Sequence, residues 1–259
     1  MYNQTTFDWN STNCPIIIFI PNFGRKTLLI PTLQRFKTNL PKNDWKFLVV
    51  NDGFSEDLSD LEHFNLCWFT FEREPIERNG ALIRNYVIKR LQCQTICQRD
   101  PEIMLDGGDY LQHVYENQDK IYRPASMIEL QPNAVQEIFD NPFCDLARLD
   151  VLRSWKVTPY NYEAFHNGCA IPLQLLRNIG GYDENFSEGY GYEDVDLLQR
   201  LKLTDYKFLV DNKIIGYHLW HQMRRKFHKT INKNGIIYEN KMKNLQVIAN
   251  NGKEWGKGI

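Results

Sequence analysis

The chain has 259 residues, 42% of them hydrophobic and 13% aromatic, with 24% charged and a formal net charge of −1. That composition supports a sizeable core and excludes a disordered chain; the near-zero charge argues against a nucleic-acid partner. No apolar run reaches the roughly 20 residues of a membrane span, and Met1 to Thr5 lack the basic-then-apolar pattern of a secretory leader. The six cysteines form no Cys-x-x-Cys pair, so reduced thiols and a cytoplasmic location are expected. Cys93 and Cys97 read as small buried residues rather than metal ligands.

Pro15 to Pro21 encloses a continuous β-branched run, Ile16-Ile17-Ile18-Phe19-Ile20, as expected for a strand buried on both faces. Leucines at helical spacing from Arg25 to Lys37 predict a helix, ended by Pro41-Lys42-Asn43-Asp44. Trp45 to Val50 is a second strand, stopped at Asn51-Asp52-Gly53, and Leu66 to Phe71 a third. Gly80 to Leu91 follows as a helix and Gln94 to Gln98 as a fourth strand. Strands alternating with helices predict a βαβ architecture, in which ligands bind beyond the carboxyl ends of the strands. Asn22-Phe23-Gly24 and Asn51-Asp52-Gly53 lie on that edge.

From Asp106 to about Tyr162 the pattern loosens. Leu111 to Gln118 is read as helical, Lys120 to Leu130 as strand-like, Asn133 to Phe139 as helical, and Asn141 to Tyr162 as a long structured loop. Beyond it come a strand (Phe165 to Ile171), a helix (Leu173 to Asn178) stopped by Gly180-Gly181, a helical run after Asp196, and a strand pair (Lys207 to Tyr217). The basic stretch from Arg224 to Lys233 reads mainly as a solvated helix face, though it leaves room for peripheral contact with an anionic membrane. With no repeat or linker, one continuous domain over 1–259 is expected.

Three groups of residues carry chemistry. In Asp100-Pro101-Glu102 two carboxylates lie two positions apart after a strand, a hard oxygen pair suited to Mg²⁺ or Mn²⁺. Asp106-Gly107-Gly108-Asp109 is a rival cation or pyrophosphate loop. Glu193-Asp194 follows a glycine- and tyrosine-rich loop and opens a helix, where a carboxylate can take a proton from a hydroxyl. His218 and His221 follow an apolar strand and offer ring nitrogens to a metal. Arg78 and Arg84 are candidate phosphate contacts.

Phe19-Ile20-Pro21, Val50-Asn51-Asp52-Gly53, Arg78 to Asn85, Asp100-x-Glu102, Gly180-Gly181-Tyr182-Asp183-Glu184 and Tyr192-Glu193-Asp194 stand in the order seen in GT-A glycosyltransferases. The set most resembles family 2 enzymes and the galactosyltransferase-like region of β-1,4-galactosyltransferases and chondroitin polymerases. The resemblance implies a single Rossmann-like α/β domain with a mostly parallel central sheet flanked by helices. About 1–102 would bind the nucleotide sugar, and about 103–259 would supply acceptor binding and catalysis. It implies a metal-dependent inverting transferase moving a sugar, a hexose or N-acetylhexosamine, from a UDP-sugar to a hydroxyl of a glycan or glycoconjugate. Pro21, Arg25, Asp52, Arg78, Arg84 and Asp100 would line the nucleotide-sugar site. Asp100, Glu102 and His218 would hold Mn²⁺ or Mg²⁺, with Asp109 and His221 as runners-up. Counted from Arg84-Asn85, the family's metal motif falls on Asp100 rather than Asp106, with Glu102 in place of a second aspartate. Asp194 would be the general base and Glu193 its partner; Tyr190, Tyr192 and Trp220 would face the acceptor.

Two other classes fit parts of the pattern. A sugar nucleotidyltransferase would carry a glycine- and lysine-rich loop after the first strand, of which Asn22 to Lys26 is a faint version. A degenerate, non-catalytic carbohydrate-binding protein would have no need to keep both acidic clusters.

Overall fold

In the computed structural model, which describes residues 7–53, 56–72, 80–158, 165–222 and 228–257, the isoleucine run is strand β1 (Ile16–Asn22), buried along its whole length. Successive side chains of a strand leave on opposite faces. Ile17 and Phe19 therefore enter one core, while Ile16, Ile18 and Ile20 enter another. Both faces need cover, and helices supply it. α1 (Lys26–Arg35) brings Leu29 and Leu33 to the second core, and α2 (Gly80–Arg90) brings Ile83 and Val87 to the first.

β2 (Trp45–Asp52) and β3 (Leu66–Phe71) add in parallel on one side of β1, and β4 (Thr95–Gln98) adds in parallel on the other. The chain continues through β5 (Ile103–Asp106), α3 (Tyr110–Tyr115), β6 (Ile121–Leu130), α4 (Pro132–Asp140), β7 (Val151–Lys156), β8 (Cys169–Pro172), α5 (Leu173–Asn178), α6 (Glu193–Leu201), β9 (Phe208–His218) and α7 (His228–Met242). Among the described residues these strands form one nine-stranded sheet, in the order β3-β2-β1-β4-β8-β6-β9-β5, with β7 also on β6. β6 and β9 pair in parallel; β8 joins both halves antiparallel, and β5 and β7 are antiparallel edges.

Three stretches depart from the sequence expectations. β5 fills four residues between the turn at Pro101 and Gly107-Gly108, too few to display an alternation. β7 lies inside the expected long loop; all but one of its residues are exposed, so burial never imprinted an apolar pattern on it. The expected strand pair near the end is the single strand β9, because the turn-like Asp211-Asn212-Lys213 is absorbed by a register shift against Pro124 to Ser126 of β6. All six cysteines are free, and burial pushes the Cys97 and Cys169 thiols up to about 12. They pack as small apolar groups, since the thiolate is the metal-binding form. No helix among the described residues is long and apolar enough to cross a membrane.

Candidate active site

The carboxyl ends of β1, β2 and β4 deliver Pro21, Asp52 and the Asp100 turn to one edge. Asn22 organises that edge, its Nδ2 donating to Asn51 Oδ1 (2.8 Å) and Glu56 Oε2 (2.7 Å) while its Oδ1 accepts from the Arg25 N–H (3.1 Å). Pro21 and Asp52 are buried there, and Gly53 takes φ +72 as the strand ends. Arg25 precedes α1 and pairs with Glu102. Arg78 lies outside the described residues.

Glu102 is the centre of a compact cluster. It is 2% exposed, with Oε1 3.1 Å from His221 Nε2 and 3.7 Å from His218 Nε2. The three residues offer ligand atoms all within 4.8 Å of one another. The antiparallel register explains the meeting, since Ile103 pairs with His218 and the Leu219 N–H donates to the Glu102 carbonyl (2.9 Å). Burial by itself would raise the Glu102 carboxyl; the His221 hydrogen bond and the charges of Arg25 and His218 outweigh it and hold the group well below the carboxylate range. Burial pulls the His218 ring below its usual value, against the opposing pull of Glu102, which favours the neutral imidazole that binds metals. Among the described residues, Glu102 Oε2 and His218 Nδ1 are buried without a hydrogen-bond partner. An orphaned carboxylate oxygen beside two imidazoles is a donor set that fits Mn²⁺ or a similar divalent cation. Sequence reasoning ranked His221 behind His218; the structure groups both with Glu102 and sets His221 nearer. Asp100 stands outside this group and faces Arg84.

Arg84 joins the two acidic clusters. Its side chain is 3% exposed, with Nη2 3.6 Å from Asp100 Oδ1 and Nη1 3.7 Å from Glu193 Oε1. The approach depends on Gly80, where a Cβ would stand 2.2 Å from Arg84 Nη1 and 2.7 Å from Glu193 Oε1. The next residue, Asn85, carries the rest of the second cluster. Its Nδ2 donates to the Tyr182 carbonyl (2.8 Å) and Glu184 Oε1 (2.9 Å), and its Oδ1 accepts from the Tyr182 N–H (2.7 Å). Gly181, at φ +67, admits that contact; a Cβ there would lie 2.4 Å from Asn85 Oδ1. The Arg84-Asn85 pair thus points one side chain into the site and hangs the Gly180 to Glu184 segment from the other.

Glu193 and Asp194 open α6, with the Val195 N–H donating to Asp194 Oδ1 (2.9 Å). Burial, with the Glu193 charge adding to it, pushes the Asp194 carboxyl up to about 7, although Arg84 pulls the other way. Such a carboxyl can exchange a proton near neutrality. Tyr190 and Tyr192 are half-buried on the loop before it, and Trp220 is 37% exposed between the two histidines in sequence.

The rival acidic loop has other work. Asp109 caps α3, accepting from the Gln112 N–H (3.1 Å), from Thr38 Oγ1 (2.8 Å) and from the Asn39 N–H (2.5 Å), while Asp106 pairs with Arg35 (3.0 Å). Sequence reasoning also passed over Asn234 and Lys241 of α7, which contact the segment around the acid pair. Neither carried a signal of its own: the run read as solvated ends at Lys233, and both lie beyond it.

Residues 151–222, which include Glu193, Asp194 and both histidines, match the family model described as the N-terminal domain of galactosyltransferase. Among curated proteins none matches the chain significantly. Solved structures that it resembles include S. aureus TarS, at 15% identity over 89% of this chain and 40% of that one, TM-score 0.58. The mannosyltransferase PcManGT from Pyrobaculum calidifontis, solved with GDP-Man and Mn²⁺, matches at 14% identity over 86% of this chain and 63% of that one, TM-score 0.51. GalNAc-T7, solved with UDP, GalNAc and Mn²⁺, matches at 13% identity over 86% of this chain and 47% of that one, TM-score 0.53. The chain therefore spans less than two thirds of each of these structures. It has the GT-A glycosyltransferase fold.

Proposed function

We propose that the chain is a metal-dependent, inverting glycosyltransferase that moves a sugar from a nucleotide diphosphate sugar, a UDP-sugar in the first instance, to a hydroxyl of a glycan or glycoconjugate. One observation carries the reading: the Arg84 guanidinium contacts Asp100 and Glu193 together, so the two acidic clusters meet at one buried cation. The Mn²⁺ and nucleotides held by fold relatives support the choice of cofactor and donor class.

Glu102, His218 and His221 hold the cation, and Asp100 lies on the same turn to meet the donor. When bound, a divalent cation there offsets charge on a leaving diphosphate. Pro21, Asp52 and Arg25 line the edge that receives the nucleotide, with Arg25 adding positive charge beside the diphosphate. Asp194 takes the proton of the acceptor hydroxyl, and its raised ionisation matches it to that task near neutral pH. Glu193 binds an acceptor hydroxyl and keeps the Asp194 proton affinity high. Tyr190, Tyr192 and Trp220 offer ring faces to the acceptor sugar.

A panel of UDP-sugars with Mn²⁺ or chelator, read first by thermal shift and then by UDP release, tests the reading. Asp194→Asn should lower turnover on the order of 10²–10⁴-fold with donor binding retained; near-normal turnover would remove Asp194 from the mechanism. Pyrophosphate release from UTP and a sugar 1-phosphate would favour a nucleotidyltransferase instead.

A further inference from the structure

Helix α7 turns three side chains, Asn234, Tyr238 and Lys241, onto one face at i, i+4 and i+7 spacing. Asn234 has no exposed surface, and its Nδ2 donates to the carbonyls of Phe186 (3.0 Å) and Gly191 (2.8 Å). Gly189 packs so tightly on this amide that a Cβ would stand 2.4 Å from Asn234 Oδ1. The Tyr238 ring lies against that of Tyr192, centroids 5.4 Å apart. Lys241 Nζ bridges Asp183 and Asp196, the second at 2.6 Å. Asp183 is 4% exposed and Asp196 fully buried, the latter also held by Arg200 at 2.8 Å.

These contacts bracket the acid pair. Asp183, Phe186, Gly191 and Tyr192 precede Glu193-Asp194, and Asp196 follows. Tyr192 itself sits at φ +70, a left-handed conformation unfavourable for a residue with a Cβ. Such a conformation persists only where the surroundings impose it. Among the described contacts, the imposing ones come from α7: both amide hydrogens of Asn234 are used on the carbonyls of this turn, and Tyr238 backs the ring.

We propose that the Asn234-Tyr238-Lys241 stripe is a clasp that positions the Glu193-Asp194 turn without touching the reacting groups. Its kinetic part rests on the transferase reading above; its structural part does not. Asn234→Asp keeps the side-chain shape but turns a carboxylate oxygen toward two carbonyls, breaking the clasp at its buried end.

Hydrogen exchange on the whole chain, followed by mass spectrometry, reads the clasp directly. Asn234→Asp should speed exchange across 183–196 by about tenfold or more while β1 and β2 keep wild-type protection. In parallel, UDP release is measured with Mn²⁺ from whichever of UDP-galactose, UDP-glucose and their N-acetyl analogues the wild type hydrolyses. There kcat should fall about tenfold or more with KM for the donor unchanged, as expected when positioning alone is lost. Tyr238→Leu, which removes only the ring contact, should shift both readouts less and in the same direction, and it replaces Asn234→Asp if that variant does not fold. Unchanged exchange over 183–196 overturns the clasp. Faster exchange with unchanged kcat overturns the positioning role. A wild type that hydrolyses none of these donors refutes the UDP-sugar reading, and the exchange arm then decides the clasp alone.

Discussion

Glu102→Gln is the sharpest perturbation of the site, because the amide matches the carboxylate in shape and removes only charge and ligand power. Two costs follow from the geometry. Without metal, Arg25 loses its carboxylate partner and the two histidines lose the acid between them. Removing one partner of a fully buried pair costs about 3–5 kcal/mol. Arg25 is 22% exposed and can turn to water, so about 2 kcal/mol is expected here. With metal, wild-type protein at a Mn²⁺ concentration about 100 times Kd gains about 2.7 kcal/mol. At about 2–4 °C per kcal/mol for a chain of this size, that is a rise of about 5–10 °C in melting temperature. The variant should lose this rise almost entirely. The assay is a thermal melt with MnCl₂ and with EDTA, run on wild type, Glu102→Gln and Asp109→Asn. Asp109→Asn still caps α3, since the two residues cap about equally well, but loses the oxygen that accepts the Asn39 N–H; it should melt lower by the equivalent of about 1 kcal/mol, yet keep the full Mn²⁺ response. A Glu102→Gln protein that still responds to Mn²⁺, or an Asp109→Asn protein that does not, would show that the cation sits elsewhere.

Turnover should rise with pH through about 7, as Asp194 ionises and becomes able to accept a proton. Glu193→Gln removes a neighbouring negative charge, so that limb should move to lower pH; a pH profile of UDP release that ignores the substitution would detach the limb from Asp194. The stability sign is opposite to the activity sign: a carboxyl raised in the fold favours its protonated form, so this contribution is present below the ordinary Asp range and fades as pH climbs toward 7. Asp183 behaves in reverse. Burial would raise its carboxyl, but Lys241 outweighs burial and holds it below the usual value, so its contribution is present above the ordinary range and lost on acidification; urea melts at pH 7 and pH 3 should show it, and Lys241→Met should flatten the difference. Gly80→Ala drives a methyl into Arg84 and Glu193 and should cost about 1–3 kcal/mol together with most of the turnover. Gly108→Ala, whose nearest neighbour would be 3.4 Å away, should leave turnover unchanged.

The parallel half of the sheet was legible because burial on both faces writes itself into composition. Five consecutive large apolar residues between two prolines leave few alternatives to a central strand, and Trp45 to Asp52 repeats the message. β7 and β5 were not legible: an exposed edge strand needs no apolar alternation, and a strand of four residues has no room for one. The same distinction holds within the site. Glu193-Asp194 and Asp100-x-Glu102 were visible through the order of motifs in which they stand; taken singly, acids beside glycines also serve structure, as Asp109 does in capping α3. That Glu102 belongs with His218 and His221 depends on an antiparallel register between strands more than a hundred positions apart, which no local pattern encodes.

Arg84 and the α7 stripe show why polar residues are harder to read than apolar ones. Asn234 and Lys241 lie beyond the basic run read as solvated and belong to no motif, and the partners that give them a role are more than forty positions away. An apolar residue needs only to be covered, and any neighbour will serve. A buried amide or ammonium must find particular carbonyls or carboxylates, so its meaning depends on who arrives opposite. Asn234 means one thing facing water and another facing Phe186 and Gly191. The residues that set the geometry of this site are polar groups buried by the fold, and their roles become visible only once the turn they hold has been closed.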